Sequence, residues 1–483
     1  MNARRLVFPA LAALVAASPL LAQPDRSAPP KPGPVRPLRL PPVERLALAS
    51  GLPVLLVPMH EVPVVEVLLV VRAGAVADPA GREGLARMTA QMLDEGAGGK
   101  DALAIADAVD FLGAQLDTGA SWDASTVRLR VPVARLSDAL PLMADVALRP
   151  DFPESELSRL RKEALTDLLQ ARDVPGSIAA RALARAVFGA GHRYGRPEGG
   201  DATSIASFAV ADLRAFHASR YLPAAATLVV AGDVTAAVLP QLEKAFGSWR
   251  AAVAPSPAPA LLPPAPLRAR TVWLVDKPGA AQSAIRVGGV GPSWAAPGYP
   301  VAEVVNTLLG GSFTSRLNDN LREQHGYSYG AGSRFQRYRT GGLFVALSDV
   351  QTDKTAPAVS EFVKELARIR TPATAEEVER ARSYAALGYA GDFETTTQVA
   401  RRMADRVVYD LPDGFFEEFV PKALAVDVAS LQAAARSLLD PDRMAVVVVG
   451  DGKTVETPLR ALGLGPVRTL TVEDVMGPAP KVD

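Results

Sequence analysis

The sequence predicts an α+β fold made of two homologous modules, each a mainly antiparallel sheet packed with helices. The first block opens with two apolar strand-like runs, "GLPVLLVP" and "PVVEVLLVVRAG", and closes with "ATLVVAGDV". The second block opens with "TVWLVDKPG" and "SAIRVGGVG" and closes with "MAVVVVGDG". In both blocks the closing strand ends in a Gly-Asp pair, at Gly232 and Gly450. Matching beginnings and ends in the same order indicate two copies of one module.

Helical patterns fill the middle of each block. The first block contains "SELSRLRKEALTDLLQARD" and "SIAARALARAVFGAG", and the second contains "APAVSEFVKELARIR" and "TAEEVERARSYAALGYAGDF". The last of these begins within "TPATAEE", which is typical of a helix N-cap. Strand pairs mixed with long helices, rather than regular strand–helix alternation, favour helices packed on one sheet.

A proline- and alanine-rich stretch separates the two blocks. Residues 251–268, "AAVAPSPAPALLPPAPLR", have no periodicity and are typical of a semi-rigid spacer between domains. This spacer divides an N-terminal module, 41–250, from a C-terminal module, 269–475. Residues 476–483 are then a short tail.

The chain begins with the features of a secretory signal peptide, assigned to residues 1–22. Two arginines precede an apolar run of 17 residues, and polar, proline-rich chain follows it. The alternative is an uncleaved membrane anchor, but Pro9 and Pro19 interrupt the run, and a span needs ~20 residues. Residues 23–40 are expected to be a disordered leader. We therefore expect a periplasmic protein whose mature form has no stable membrane span.

Composition excludes several kinds of site. Basic and acidic residues balance at 52 each, so the net charge gives no indication of nucleic-acid binding. Cysteine is absent, which excludes disulfides, thiol nucleophiles and thiolate zinc sites. Histidine occurs only at His60, His192, His217 and His325. None of these lies three or four residues from another, so the chain has no helical pair of imidazoles for a metal.

Residues 81–96, "GREGLARMTAQMLDEG", predict a short amphipathic helix. Leu85, Met88 and Met92 have the three- and four-residue spacing of one apolar face. Arg87 and Gln91 lie one turn apart on the other face, and Ala90 is assigned to that face with them.

Several stretches together resemble the pitrilysin/insulinase-type zinc peptidases, the group that includes mitochondrial processing peptidase. The first block contributes "GREGLARMTAQMLDEGAGG", "GHRYGRPEGGDATSI" and "DLRAFHASRYLPAAATLVVAGDV" to this resemblance. The second block contributes "VVNTLLGGSFTSRLNDNLREQHGYSYGAGSRF" and "AVVVVGD". The resemblance covers almost the whole mature chain. It implies two homologous α+β modules that form half of a clamshell.

Active members of that family carry the zinc motif H-x-x-E-H on a helix after the second strand. The resemblance places Arg87 and Gln91 at the two histidines, Ala90 at the glutamate base, and Asp167 at the third ligand. An arginine repels a cation, a glutamine offers only a weak carbonyl oxygen, and an alanine takes no proton. The alternative is that the helix is unrelated to the motif and Arg87 faces solvent. We expect no cofactor in this chain and zinc in a partner chain.

The second block keeps "LNDNLREQHGYSYGAG", in which the resemblance assigns Arg322 and Tyr329 to a substrate-binding pair beside the scissile bond. Gly326 is expected to stop the helix, so that Tyr329 begins the following strand. A guanidinium and a phenol are donors suited to a carbonyl that gains negative charge. The alternative is an arginine that favours the helix dipole and an ordinary strand tyrosine. Tyr327 is the candidate if the strand register shifts by one.

These features predict a non-catalytic, substrate-binding subunit of a periplasmic heterodimeric zinc metallopeptidase. Its partners would be a homologous zinc-bearing subunit with H-x-x-E-H and a peptide substrate, with no role for nucleic acid. One alternative is a stand-alone peptide-binding or structural member of the family. A second alternative is an active hydrolase with a displaced metal site.

Overall fold

The computed structural model describes residues 37–251 and 260–481, together with Gly33 and Val35. The predicted signal peptide, most of the predicted leader and residues 252–259 of the predicted spacer lie outside the described residues. The described residues from Leu38 onward belong to one compact unit. In this part of the chain, no helix combines the length and apolar character that crossing a bilayer requires.

The first half of the chain forms a six-stranded sheet. Its strands are β1 (Glu44–Ala47), β2 (Pro53–Pro58), β3 (Val64–Val71), β6 (Gln115–Ala120), β7 (Ser125–Pro132) and β8 (Ala226–Gly232). A separate two-stranded ribbon consists of β4 (Gly96–Ala97) and β5 (Lys100–Asp101). The order across the sheet is β1-β2-β8-β3-β7-β6. Only β2 and β8 pair in parallel within this sheet, and every other neighbouring pair is antiparallel.

The second half repeats this sheet. Its strands are β9 (Thr271–Asp276), β10 (Gln282–Gly291), β11 (Ala331–Arg337), β12 (Gly342–Gln351), β13 (Ala445–Gly450) and β14 (Val467–Thr471). Their order is β11-β12-β10-β13-β9-β14, with β9 and β13 parallel as β2 and β8 are. Five strands therefore correspond one to one. The outer strands differ, since β1 is antiparallel to β2 whereas β14 is parallel to β9.

Helices cover these sheets. In the first half they are α1 (Leu85–Gln91), α2 (Ala102–Phe111), α3 (Leu136–Leu148), α4 (Glu154–Ala171), α5 (Pro175–Phe188), α6 (Ala202–Ala206), α7 (Val210–Arg220) and α8 (Leu239–Phe246). In the second half they are α9 (Tyr299–Asn306), α10 (Arg316–Asn318), α11 (Thr355–Arg368), α12 (Ala375–Tyr389), α13 (Thr396–Tyr409), α14 (Phe419–Leu424), α15 (Val428–Leu438), α16 (Gly452–Ala461) and α17 (Val472–Met476). Two π-helical segments, Thr307–Gly311 and Asp319–Gln324, follow α9 and α10.

The predicted α+β fold of two sheet-and-helix modules is confirmed. The helical patterns in the middle of each block correspond to α4, α5, α11 and α12. The "TPATAEE" sequence forms a capping box, in which Thr374 and Glu377 each bond the other's backbone N–H. That box satisfies two of the donors that open a helix.

The two modules exchange a helix, which the sequence does not indicate. Helix α5 belongs to the first half, but Ile178, Ala182 and Leu183 are buried in the apolar core of the second sheet. Helix α13 belongs to the second half and packs on β3 and β8 of the first sheet. There the Thr397 hydroxyl donates to the buried carboxylate of Glu66 at 2.8 Å. Each sheet is therefore covered in part by the other module's chain.

Removing one apolar contact of α5 tests this exchange. Leu183 lies over Gly288 of β10, where an added Cβ would be 3.1 Å from the leucine Cδ2. We expect Leu183→Ala to lower the free energy of unfolding by about 2–5 kcal/mol, because it leaves a cavity in the second core. Equilibrium urea denaturation measures this. The control Leu169→Ala on α4, where the leucine is 41% exposed, should change it by about 0.5 kcal/mol or less. Equal effects of the two variants would contradict the exchange.

Candidate functional site

Helix α1 carries three of the predicted motif positions, and a buried carboxylate holds its first turn. The helix begins at Leu85, directly after Gly84, whose φ of 94° lies in the left-handed region. The Asp78 carboxylate accepts hydrogen bonds from the N–H groups of Gly84 and Ala86, both at 2.8 Å. Such donors at a helix start have no partner inside the helix, and the helix dipole favours a negative charge there. Asp78 therefore fixes where α1 begins.

The same carboxylate forms a buried ion pair with Arg193. The nitrogen–oxygen distance is 2.9 Å, and the two side chains are 0% and 4% exposed. The Arg193 guanidinium also donates to the carbonyl oxygens of Ala75 at 2.9 Å and Pro197 at 3.0 Å. It lies over the Trp122 ring, 5.0 Å from the centroid. Because these partners come from separate segments, the pair joins the start of α1 to the loop that follows residue 193.

A cavity of about 270 Å³ opens between α1, α4, α5 and that loop. Arg87 and Gln91 of α1 line it, and Asp167 of α4 lines it from the facing side. The structure therefore brings together three of the four positions that the resemblance assigned to the zinc motif. Glu163 of α4 and Arg181 of α5 line the same cavity.

These side chains do not fit a zinc ion. A catalytic zinc takes about three ligands from histidine, cysteine, aspartate and glutamate. The cavity offers the carboxylates of Asp167 and Glu163, and Glu163 already pairs with Arg159 at 3.4 Å. Within the described ranges, no three such residues are placed to hold a metal together. Arg87 adds a permanent positive charge, so no metal-dependent step can be assigned to this cavity.

Arg87 has an electrostatic partner in the loop beyond Arg193. Burial raises the pKa of Glu198, and the guanidiniums of Arg87 and Arg193 oppose that rise. Arg87 also lies close to Gly199, where an added Cβ would be 3.0 Å from its Nη1. The arginine thus brings a fixed positive charge to the cavity wall, balanced in part by Glu198.

The placement of Ala90 was wrong. It was expected on the open face of the helix beside Arg87 and Gln91, but it is 0% exposed and does not line the cavity. Helix α1 packs against both α7 and β6, so a second face of the short helix is covered. The apolar face is as predicted, since Leu85, Met88 and Met92 are buried.

The second predicted constellation lies in the second module. Arg322 belongs to the π-helical segment Asp319–Gln324, where the sequence predicted the end of an ordinary helix. Such segments are rare and are frequent at functional sites. Gly326 ends the segment with a φ of 64°, as expected, and its N–H donates to the Arg322 carbonyl at 3.1 Å. The Arg322 guanidinium lies 4.6 Å from the ring centroid of Phe313, which is 66% exposed.

Tyr329 does not begin the following strand, and that expectation was wrong. Strand β11 starts at Ala331, so Tyr329 lies in the loop that connects it to Gly326. The Tyr329 side chain is 94% exposed, and it forms no hydrogen bond with another described residue. Tyr327 instead stacks on His325, with ring centroids 4.9 Å apart. Tyr329 is therefore the phenol that is open to solvent.

A bidentate ion pair anchors the segment that carries Arg322. The Nε and Nη2 atoms of Arg316 donate to the two carboxylate oxygens of Glu377, both at 2.8 Å. The side chains are 6% and 16% exposed. Hydrogen bonds from Arg316 lower the pKa of Glu377 to about 2. The pair joins α10 to the first turn of α12.

Gly310 has a packing role. An added Cβ there would lie 2.3 Å from the backbone nitrogen of Ser333 in β11, so only glycine permits this approach. Ser333 in turn donates to Asn306 at 2.8 Å. The end of the π-helical segment at Gly310 and Gly311 therefore positions the chain before Arg316 against the edge strand of the second sheet.

Two family models match this chain. One, described as insulinase (peptidase family M16), matches residues 54–196, and the other, described as peptidase M16 inactive domain, matches residues 207–384. The first range contains the helices that line the cavity. The second range contains Arg322 and Tyr329.

Curated relatives agree with the models. An uncharacterized zinc protease of Bacillus subtilis is 24% identical over 370 residues, which cover 76% of this chain and 89% of the relative. An uncharacterized zinc protease of Mycobacterium bovis is 28% identical over 248 residues, which cover 50% of this chain and 55% of the relative.

Solved structures have the same fold. A peptidase M16 inactive domain from Pseudomonas fluorescens superimposes with a TM-score of 0.77 and 27% identity, covering 84% of this chain and 98% of that one. A protease from Helicobacter pylori gives a TM-score of 0.75 at 19% identity, covering 85% of this chain and all of that one.

Sequence patterns gave no signal for Arg181 in the cavity, or for Asp78, Arg193 and Glu198 in the contacts around it. Arg181 appeared only within a predicted helical pattern, and the Asp78–Arg193 pair joins residues far apart in sequence. Glu198 lies in "GHRYGRPEGG", a stretch that carried the family resemblance but no predicted charge partner for Arg87. Only the family alignment of Asp167 connected α4 to α1.

The buried ion pair generates a stability prediction. We expect Asp78→Asn to lower the free energy of unfolding by about 3–5 kcal/mol, because Arg193 is then left as a buried charge without its counter-charge. The matched control is Asp353→Asn, which breaks the exposed pair with Lys354 and should leave the free energy of unfolding nearly unchanged, because solvent screens that pair. Thermal or urea unfolding followed by circular dichroism measures both. A loss no larger than that of the control would refute a central role for the pair.

The Arg316–Glu377 pair generates a pH prediction. Its carboxyl has a pKa of about 2 in the folded protein and an ordinary value of 4.5. Because the folded pKa is depressed, the pair stabilises the protein above pH 4.5 and this contribution declines as the pH falls towards 2. We expect Glu377→Gln to cost about 1–2 kcal/mol at pH 7, after allowance for solvent screening. The difference from the parent should shrink between pH 4.5 and pH 2 in unfolding titrations, and a constant difference would contradict the assignment.

Proposed function

The chain belongs to the insulinase (M16) family of peptidases, and on that premise we propose that it is the non-catalytic, substrate-binding subunit of a zinc metallopeptidase. Its partner would be a homologous chain that carries H-x-x-E-H, and the heterodimer would act in the bacterial periplasm. The observation that carries the proposal is a contrast between the two modules. The first presents side chains unsuited to zinc, whereas the second presents a partly exposed guanidinium and an exposed phenol.

The first module cannot supply the reacting water by itself. With Ala90 buried and Arg87 and Gln91 in the cavity, the helix has no imidazole ligand and no carboxylate base. A metal-bound water and a proton acceptor are both needed for hydrolysis of this type. Peptide cleavage would therefore require the zinc, its ligands and the base from another subunit.

The second module supplies donors that are available to a substrate. Tyr329 has a free, exposed hydroxyl, and the Arg322 guanidinium is held above Phe313 with its Nε 3.5 Å from Glu323. A guanidinium and a phenol can donate to a peptide carbonyl and to the oxyanion that it becomes during attack. The Arg316–Glu377 pair anchors the π-helical segment that carries the arginine, and this supports a donor that is held in place before substrate binds. Such preorganisation means that little reorganisation is required during the reaction.

Co-purification tests the partnership. The tagged chain, expressed with a homologous H-x-x-E-H chain from the same source, should purify as a heterodimer that cleaves peptides. The zinc-bearing chain alone should cleave them poorly. Equal activity of the zinc-bearing chain with and without this subunit would count against the proposal. Tight peptide binding by this chain without any effect on a zinc subunit would favour a stand-alone binding protein.

Substitution of the pair tests its role within that heterodimer. We expect Arg322→Ala or Tyr329→Phe to lower kcat/KM by about 10²-fold or more, as does the removal of one oxyanion donor in other hydrolases. The heterodimer should still form, since both side chains are exposed or partly exposed. The matched control is Tyr384→Phe on α12, where the tyrosine is 55% exposed. Unchanged kinetics in the first two variants would exclude the pair from catalysis.

A further inference from the structure

The cavity between α1, α4 and α5 contains polar side chains that form no hydrogen bond with other described residues. The side chains of Arg87, Gln91, Asp167 and Arg181 line it, and none forms a hydrogen bond or a close ion pair with another described residue. Polar groups at a buried or half-buried surface normally find partners. Arg87 and Asp167 are exposed, whereas Gln91 and Arg181 are half-buried and form no hydrogen bond with another described residue, and these two indicate a binding site at the cavity.

The charges in the cavity select the kind of ligand. Glu163 is paired with Arg159, so the unpaired groups are two guanidiniums, one amide and one carboxylate. Two guanidiniums recognise a carboxylate with forked, charge-assisted hydrogen bonds, and the Gln91 amide can add a further donor. A volume of about 270 Å³ suits a small organic acid or the last residues of a peptide. From this arrangement we infer that the cavity binds the carboxylate of a short peptide or small acid.

Arg181 is the residue that gains most from such a ligand. Burial lowers its pKa, the neighbouring Arg185 and Arg172 lower it further, and Asp201 opposes them. Asp201 is the strongest charge interaction of this half-buried guanidinium, but it offsets the burial only in part, and no described residue forms an ion pair with Arg181 at hydrogen-bonding distance. A bound carboxylate would supply that ion pair. Arg87 has Glu198 as a partial partner already and would contribute less.

The ligand class does not depend on the proposed zinc partner, because every residue involved belongs to this chain. At the positions where the resemblance places metal ligands, Arg87 brings a positive charge and Gln91 a neutral amide, and both can donate hydrogen bonds to an anion.

Calorimetric titration of the purified chain tests the inference with three probes. Acetylated trialanine with a free carboxyl terminus should bind, and the same peptide with an amidated terminus should bind at least about tenfold more weakly, since it lacks the charge. An amidated peptide with one glutamate distinguishes a side-chain carboxylate from a terminal one. Binding by either carboxylate probe supports the site and identifies the source. Equal binding of the amidated trialanine, or no binding of any probe, would overturn it.

Variants of the lining residues locate the site, because some should weaken binding of the probe and one should tighten it. Arg181→Gln and, independently, the exposed Arg87→Gln should weaken binding of the free-carboxyl probe, by about tenfold for Arg181. Asp167→Asn should tighten it severalfold, because it removes a like charge from the cavity. Lys162→Gln, which removes an exposed charge elsewhere on α4, is the control and should change nothing. If Asp167→Asn had no effect, or Lys162→Gln matched Arg181→Gln, the ligand would lie elsewhere.

Discussion

The buried pair between Asp78 and Arg193 is the interaction on which the candidate cavity depends. One carboxylate binds the first turn of α1 and, through the guanidinium, the loop at residues 197–200. Both segments contribute walls of the cavity. A buried ion pair with all its hydrogen bonds made is weak evidence for net stability, but removal of one partner strongly destabilises the folded protein. The pair therefore acts mainly as a geometric constraint, which holds Arg87 and Gln91 towards the same opening.

The exchange of helices couples that cavity to the second module. Helix α5 buries Ile178, Ala182 and Leu183 in the second core while Arg181, on another face, lines the cavity. A group bound in the cavity would thus contact α1 and α4, which pack in the core of the first sheet. It would also contact α5, whose apolar side chains are buried in the core of the second sheet. Helix α13 makes the reciprocal contact on the first sheet through Thr397 and Glu66. Relative movement of the two sheets would disturb both contacts at once.

Sequence patterns predict the local elements well and the relations between them poorly. The duplicated sheet, the long helices and the Gly326 stop follow from periodicity, capping and glycine chemistry, and they are present. The burial of Ala90 could not be predicted, because helical spacing shows one apolar face and not the second neighbour that covers a short helix. The start of β11 at Ala331 was missed because a strand boundary depends on the pairing partner, here β12. The exchange of α5 and α13 could not be predicted, because both sheets have apolar faces and helical periodicity does not show which sheet a helix packs on.

The two constellations are held by different interactions, and this separation explains how one could change while the other remained. The Arg322 guanidinium contacts Phe313 and Glu323, and the chain before it is anchored by the Arg316–Glu377 pair and by the approach of Gly310 to β11, all within the second module. None of these contacts involves Asp78, Arg193 or α1. Arg87 and Gln91, at the positions that the resemblance assigns to metal ligands, lie on a helix whose start is fixed by Asp78. A change of charge on that helix therefore has no direct effect on the contacts that hold Arg322 in the second module.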